Sequence, residues 1–172
     1  MSLRILRGFT LFINDTRNLF FEIETMKLAT MEENTETFQP GGSDMEMAIA
    51  GLGVKAFEVP FKCKAHSPDV AGLFGGPAGV RHNFTGRKLV IDEKDGTEYE
   101  HAVDIRGRLT KVEAEEMAAG KVAGYDHTIG SIDSYSEMWD GRVMHRFNFW
   151  TGGWETWNFE PVNSARRRIL FS

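Results

Sequence analysis

The sequence predicts a mainly β protein, an antiparallel β-sandwich or partly open barrel with one short helix. Two observations favour this class. About seven or eight stretches show the alternation of apolar and polar residues that is typical of half-buried strands. Turn signals that draw on the 18 glycines of the 172-residue chain separate these stretches. The length suits one domain, and we expect residues 1–172 to form a single unit.

The first two predicted strands lie on either side of a turn signal. Residues 8–13 place alternate apolar side chains on one face. The polar run 14–18 predicts a turn. Residues 19–28 predict a second strand, since apolar and acidic residues alternate there.

A long polar stretch follows at residues 29–45 and includes Pro40-Gly41-Gly42, a strong turn signal. A loop of this length in a compact domain is usually functional or an interaction arm. Residues 22–46 hold seven acids and one base, so their net charge is −6 against −5 for the whole chain. The acidity is therefore local, and it indicates either a solvated face or a functional surface.

Residues 54–65 predict a further strand with an apolar face. Ser67 as N-cap and Pro68 as first helical residue predict a short helix after it. The expected buried side chains of that helix are Val70, Leu73 and Phe74, and the expected end is Gly75-Gly76-Pro77.

The second half of the chain predicts two hairpins, each closed by an Asp-Gly pair. Residues 82–92 and 97–110 form the first, in which the pair at 95–96 favours a tight type I′ turn. Residues 125–139 and 142–150 form the second.

The chain contains no recognisable catalytic, metal or cofactor motif. Cys63 and His66 lie three apart, but a zinc site needs about four ligands and no second pair is present. Cys63 falls on an apolar strand face and is interpreted as a buried structural residue. His101 and His145 also fall on apolar faces, which favours core or interface positions. We therefore expect no enzyme, no metal and no cofactor, although the many acids leave an acid–base pair open.

Charge and hydropathy exclude two classes of partner. A net charge of −5 and a pI of about 5.6 argue against a nucleic-acid-binding surface. No apolar run approaches the roughly 20 residues of a membrane span, and none resembles a signal-peptide core. We expect no membrane partner and folding in a reducing cytoplasm.

Two C-terminal features are candidate contact surfaces. Large aromatic side chains dominate cores and interfaces, and they also stack on sugars. A run of arginines in the tail fits an acidic neighbour better than phosphate, given the overall charge. The candidate interface residues are Trp150, Trp154, Trp157, Arg166, Arg167 and Arg168.

Five segments resemble, in the same order, the major tail tube proteins of contractile-tailed phages and their pyocin relatives. They are residues 11–15, 36–44 with an aromatic residue followed by Gly-Gly, 105–109 with an Arg-Gly strand, 135–142 with a late Asp-Gly hairpin, and 167–170 at the C-terminal end. The similarity runs nearly end to end. The Trp-rich stretch 149–159 departs from the family pattern.

The resemblance implies a structural virion protein whose sheets close into six-fold rings with a continuous inner β-barrel. Stacked rings would form the inner tail tube, through which DNA passes during ejection without specific binding. The implied partners are further copies of the chain, the tail sheath protein and the tape-measure protein. The implied location is the virion tail, assembled in the cytoplasm of the bacterial host. The ring-stacking loop would comprise Phe38, Gln39, Pro40, Gly41, Gly42, Asp44 and Met45.

Such a tube has a central channel, and acidic walls would repel the phosphates of DNA. We expect residues 22–35 with 45–58, and 99–112 with 125–138, to form the hairpins that line it. The candidate acids of the channel are Glu22, Glu24, Glu32 and Glu33.

The main alternative function is a carbohydrate-binding β-sandwich module that uses the Trp-rich segment. It predicts a monomer with exposed tryptophans whose fluorescence changes with glycans. An enzyme of unknown type is a further alternative without a supporting constellation, and a secretion-system tube protein shares the favoured architecture.

Overall fold

The computed structural model describes residues 1–159 and 161–171. Within them the chain forms eleven strands and two short helices. The strands are β1 (Arg4–Ile13), β2 (Arg17–Asn18), β3 (Ile23–Met26), β4 (Glu36–Phe38), β5 (Met47–Ile49), β6 (Val59–Cys63), β7 (His82–Asp92), β8 (Glu98–Ala114), β9 (Tyr125–Trp139), β10 (Arg142–Asn148) and β11 (Gly153–Thr156). The helices are α1 (Pro68–Ala71) and α2 (Ser164–Leu170). The prediction of a mainly β, antiparallel fold is confirmed.

Nine strands form one sheet in the order β11-β10-β9-β8-β7-β1-β2, with β6 and β3 attached beside β9. The hairpin of β8 and β9 is the longest element, and it pairs Ala102 with Met138 and Val112 with His127. Strand β7 pairs with β8, and β9 with β10, so both predicted hairpins are confirmed. The sheet of one copy does not close into a barrel in the part of the chain that the structure describes.

Two different strands pair with the same edge of β9. Its first half pairs with β6, where Val59 lies opposite Ile129. Its second half pairs with β10, where Asn148 lies opposite Ser134. Ser131 adopts φ 47° between the two halves, and β8 carries register shifts alongside. Because bulges bend a strand, the sheet separates here into a four-stranded half-sheet and a larger remainder. The half-sheet consists of β3, β6, and the facing segments 125–129 of β9 and 108–114 of β8.

Residues 23–63 form one long hairpin. Its base pairs β3 with β6, a bridge between Glu33 and Val54 continues it, and β4 pairs with β5 near its end. The stretch 29–45, expected as a loop, therefore includes β4 and most of one arm. We call residues 36–49 the hairpin tip.

The core lies against one face of the sheet. Alternate residues of the strands point into it, which explains the alternating patterns of the sequence. Phe57 in the long hairpin packs against Tyr135 and Phe147, with ring centroids 5.1 and 5.0 Å apart, so the hairpin lies over β9 and β10. The fully or nearly buried apolar residues are Leu11, Ile13, Leu19, Val59, Phe61, Cys63, Val70, Phe84, Val103, Ile105, Leu109, Ile129 and Tyr135. Cys63 is completely buried, as predicted, and burial raises the pKa of its thiol to about 11.

The helices differ from the prediction in number and length. Ser67 and Pro68 begin α1 as expected, but it has a single turn, and the expected buried residue Phe74 lies exposed beyond it. The prediction of only one helix is wrong, since α2 forms near the C-terminus. Its arginine-rich sequence lacks the apolar periodicity from which helices are predicted, and none of its residues is buried.

The two Asp-Gly turns also differ. Asp140 and Gly141 both have positive φ, 48° and 81°, as a type I′ turn requires. At residues 95–96 only the glycine does, with φ 74°, and a five-residue loop joins β7 to β8. The type I′ prediction is therefore wrong at residues 95–96.

Candidate functional site: strand edges, hairpin tip and tryptophan groove

The half-sheet ends in two strand edges that pair with no other strand of the described chain. On one side β3 pairs with β6 alone. On the other side β7 stops pairing at Gly107, so residues 108–114 of β8 pair with β9 alone. An unpaired edge offers a row of N–H and C=O groups to another strand.

The two faces of the half-sheet differ sharply. Phe61, Cys63 and His127 point into the core, and His127 stacks on Phe61 with ring centroids 4.7 Å apart. Burial lowers the pKa of His127, which favours its neutral form. The opposite face is polar, because Lys62 and Asp126, both half-buried, alternate with those core residues.

Glu115 organises the charges on the polar face. Its carboxylate accepts hydrogen bonds from the ammonium groups of Lys62 and Lys64, the latter at 2.8 Å, and from the Gly124 N–H at 2.8 Å. These donors, Lys62 first among them, lower the pKa of Glu115 to about 2. The cluster joins β6 to the connection between β8 and β9.

The polar face carries charges of both signs. Lys111 and Glu113 form an ion pair at 2.9 Å along the unpaired edge of β8, and Glu24 lies 3.8 Å from Lys64. Lysines therefore accompany the carboxylates on this face.

The side chains of the four acids expected in a channel have different surroundings. Glu22 is bound by Arg17 and by the hydroxyl of Ser67. Glu32 pairs with Lys55 at 2.5 Å. Glu33 lies at the bridge to Val54 and lines a groove described below. Their role in a channel stays a prediction.

The hairpin tip presents apolar side chains to solvent. Phe38 is 56% exposed, Met45 76% and Met47 60%. The turn between its strands is held by the Ser43 N–H, which donates to the Pro40 carbonyl at 3.0 Å, and by the Gln39 side chain, which donates to the Ser43 carbonyl at 3.0 Å. The expected stacking residues therefore lie together at one exposed end of the molecule.

The hairpin tip also carries acidic side chains beside its apolar ones. Glu36, Asp44 and Glu46 have no ion-pair partner among residues 1–159 and 161–171. The tip thus combines apolar area with uncompensated negative charge.

The three candidate tryptophans do not line one common cavity, since Trp154 lies in the wall of two cavities, with Trp157 in one and Trp150 in the other. Trp154 and Trp157 line a groove of about 770 Å³. Trp150 instead turns toward β9, where its indole N–H donates to Asp133 at 2.8 Å. We call the first site the tryptophan groove, and its apolar wall consists of Trp139, Met144, Trp154, Trp157, Phe159 and Val162.

Arginines border the tryptophan groove. The Arg142 guanidinium lies 3.6 Å from the centre of the Trp157 ring and donates to the Trp157 carbonyl at 3.1 Å. Arg4 lines the groove and lies 5.6 Å from the Trp139 ring centre. The three candidate arginines of the sequence analysis, Arg166, Arg167 and Arg168, lie on α2.

A family model described as phage tail tube protein FII matches residues 3–152. The chain belongs to this family of phage tail tube proteins. No curated protein matches the chain. The family is structural, so the protein is a component of the virion tail that assembles with itself into a tube and associates with other tail components.

The match covers some of the candidate surfaces and leaves others outside. Both edges of the half-sheet and the hairpin tip lie inside it. It ends within the Trp-rich stretch, so β11, α2 and Trp154, Trp157 and Phe159 of the groove lie beyond it. The groove is therefore partly built from sequence outside the matched region.

Sequence inspection missed Asp133, which joins three distant segments. Its buried carboxylate accepts the Trp150 bond and lies 3.5 Å from Arg81 and 3.7 Å from Arg106. The position is an isolated acid in an alternating strand, so only the tertiary approach of its partners reveals its role.

The described residues also show which chemical groups stand near the candidate surfaces. No group of three or more His, Cys, Asp or Glu side chains could hold a metal ion there. No helix there has the length and apolar character needed to cross a membrane. His101 is buried with its Nε2 3.1 Å from Glu137, and His145 is half-buried in the wall of the tryptophan groove.

Proposed function

We propose that six copies of this chain form a ring, and that stacked rings make the inner tube of a contractile phage tail, through which DNA passes during ejection. The observation that carries the proposal is the pair of unpaired edges on the half-sheet. Ring closure through these edges would satisfy their backbone groups and remove two sites of uncontrolled pairing.

Strand direction supports pairing between copies. The half-sheet runs β3, β6, β9, β8, and every neighbour is antiparallel. Four strands are an even number, so β3 of one copy and β8 of the next run in opposite directions in a ring with cyclic symmetry. Alternation therefore continues through every junction, and six copies would close one antiparallel barrel.

The polar face of the half-sheet would line the channel. Its opposite face is packed in the core, so the polar face is the one free to meet water and cargo. We propose that carboxylates such as Glu24 repel DNA phosphates. The lysines of this face form ion pairs with carboxylates of the same wall, as Lys64 does with Glu115.

Stacking and external partners complete the proposal. The hairpin tip is a projecting arm, and its contact with a neighbouring ring is heterologous, a geometry that propagates into filaments. The tail sheath protein would surround the tube and the tape-measure protein would occupy it during assembly in the host cytoplasm. Membership of the tail tube family supports these partners as part of the proposal.

Disulfide trapping tests the edge pairing directly. The double variant Thr25→Cys with Lys111→Cys places one thiol on each edge, both next to the polar face. Three inter-strand steps of about 4.8 Å separate the edges within a copy. That exceeds the roughly 7 Å limit for a disulfide, so any bond must join two copies.

The oxidised tubes are expected to give a covalent ladder on a denaturing gel that ends at six copies. Glu113→Cys in place of Lys111→Cys samples the neighbouring register. Each single-cysteine variant is the control and should stay monomeric, since Cys63 is completely buried. Assembled tubes without a ladder in either register would contradict edge pairing, and a ladder ending at another number would contradict six-fold rings.

A further inference from the structure

We propose that the tryptophan groove receives the hairpin tip of a second copy of this chain. This inference rests on the proposed function, and it adds the surface that accepts the projecting arm. It assigns a role to the segment beyond residue 152, which lies outside the family match.

Shape and polarity of the groove fit an apolar protrusion. Its volume of about 770 Å³ exceeds one side chain, and its wall is largely aromatic. Trp157 and Phe159 remain exposed along it. Exposed apolar patches of this kind mark interaction sites more often than isolated surface residues do.

The hairpin tip is an apolar protrusion of the size required. Phe38, Met45 and Met47 are all more than half exposed within fourteen residues of chain, 36–49. Methionine side chains adapt to irregular pockets, and aromatic side chains anchor interfaces.

A copy does not fill its own groove with its own tip. Glu33, three residues before the tip begins, lines the groove, so the hairpin passes beside it. The tip then continues beyond, with its apolar side chains in solvent. A tip that occupies the groove must therefore come from another copy.

Charge complementarity selects the tip over other occupants. Glu36, Asp44 and Glu46 surround the tip without cationic partners in the described chain. Arg142 has no acidic partner there, and its guanidinium lies on the ring of Trp157, a residue of the groove wall. Acidic residues around an apolar anchor would thus meet a guanidinium beside an apolar wall, an arrangement that fixes orientation and excludes wrong partners.

Photo-crosslinking maps what the tip touches in assembled tubes. Phe38→p-benzoylphenylalanine keeps an aromatic side chain at the tip and forms a bond to the nearest C–H group on illumination. Tubes are built from this variant mixed with ¹⁵N-labelled copies that carry no probe. Mass spectrometry then identifies the attached peptide, and the heavy isotope proves that it belongs to another copy.

We expect the heavy cross-linked peptides to come from residues 139–162. The matched control, Phe74→p-benzoylphenylalanine, puts the same probe on an exposed phenylalanine outside the tip, and it should not label those residues. Labelling of any other region by the Phe38 probe, in tubes of normal length, would overturn the groove as the acceptor and leave the proposed function intact.

Two more outcomes separate the alternatives. Failure of the unsubstituted chain to form tubes, or of the double-cysteine variants to form a disulfide ladder, would overturn the proposed function itself. A glycan that changes tryptophan fluorescence, with no cross-link to residues 139–162, would overturn the tip as occupant and identify a sugar site instead.

Discussion

Gly124 lies where the end of the β8–β9 connection passes against β6. A Cβ atom at this position would lie 1.9 Å from the Cys63 carbonyl oxygen and 2.7 Å from the Lys64 Cα. Both are backbone atoms, so a rotamer change cannot relieve the clash. The Gly124 N–H also donates to Glu115 at 2.8 Å, which ties the close approach to the charge cluster.

Gly124→Ala should therefore destabilise the protein by at least about 2 kcal/mol, since overpacking against backbone forces β6 to move. Urea unfolding followed by tryptophan fluorescence measures the effect. Gly8→Ala is the control, because a Cβ there meets nothing within 4 Å. Equal stability of the two variants would contradict the close approach.

Glu115 should make the stability of the folded chain depend on pH in the acidic range. Its pKa is about 2 in the folded chain against 4.5 for an unperturbed glutamate. A lowered carboxyl pKa stabilises the folded state above pH 4.5, and this contribution is lost as pH falls toward 2.

Glu115→Gln should accordingly lower Tm at pH 7, and the difference from the unsubstituted chain should shrink between pH 4.5 and 2. Thermal unfolding across that range checks it. Glu116→Gln changes the exposed neighbouring acid and should leave Tm nearly unaltered at every pH. A Tm difference that does not change with pH would contradict the ion-pair cluster.

At the scale of elements, the long hairpin 23–63 carries one packed phenylalanine in its middle and one exposed phenylalanine at its tip. Phe57 in its middle packs on Tyr135 and Phe147 and fixes the arm to the sheet. Phe38 at its tip is more than half exposed, so its side chain is free to contact a partner. The docked middle would hold the tip in position before assembly.

Phe57→Ala should cost roughly 3 kcal/mol of unfolding free energy, within the range for loss of a packed aromatic side chain. Phe38→Ala is the matched change in the same hairpin and should alter stability by less than about 0.5 kcal/mol. Chemical denaturation of both variants measures the contrast. Comparable losses would show that the hairpin is not anchored through its middle.

The sequence predicts elements well where alternation is long. Strands β7 to β10 and their pairings follow from period-two patterns and Asp-Gly turns. The division of β9 between β6 and β10 does not, because it depends on a local bend at Ser131 inside an otherwise regular strand. Helix α2 was missed because its arginines provide no buried stripe.

The sequence predicts the hairpin tip better than it predicts the tryptophan groove. The tip residues are contiguous in sequence, so their common exposure could be anticipated. The tryptophans are close in sequence too, yet Trp150 turns to Asp133 while Trp157 turns to Arg142. Neither the groove nor the Asp133 contacts can be read from spacing. The partners of Asp133 lie up to 52 positions away along the chain, and the groove is lined by residues as distant as Arg4 and Val162.

At the scale of the whole molecule, one copy is an incomplete structure. The half-sheet exposes two strand edges and a polar face, and the tip exposes apolar side chains. Each of these features acquires a partner in the proposed tube: edges pair around the ring, tips contact further copies, and the polar face meets the cargo.

The channel wall yields a prediction for DNA passage. Glu24→Lys reverses a charge on the polar face in every copy, and it is preferable to a change at Glu22, which Arg17 and Ser67 bind. Tube length should stay normal, while genome ejection slows, most clearly at low ionic strength, because phosphates would bind the wall.

Timed DNA release from phage particles that carry the variant measures this effect. Glu98→Lys makes the same charge change at the far end of β8, outside the half-sheet, and should not slow ejection. Normal ejection by the Glu24 variant at low salt would argue against an electrostatic role for the wall.

Electron cryomicroscopy of tubes assembled from the purified chain tests the self-assembly claim most directly. The predicted map shows six-fold rings around a continuous antiparallel barrel, with β3 of each copy hydrogen-bonded to residues 108–114 of the next and the polar face toward the channel. Isolated single copies, or tubes in which both edges face solvent, would contradict it.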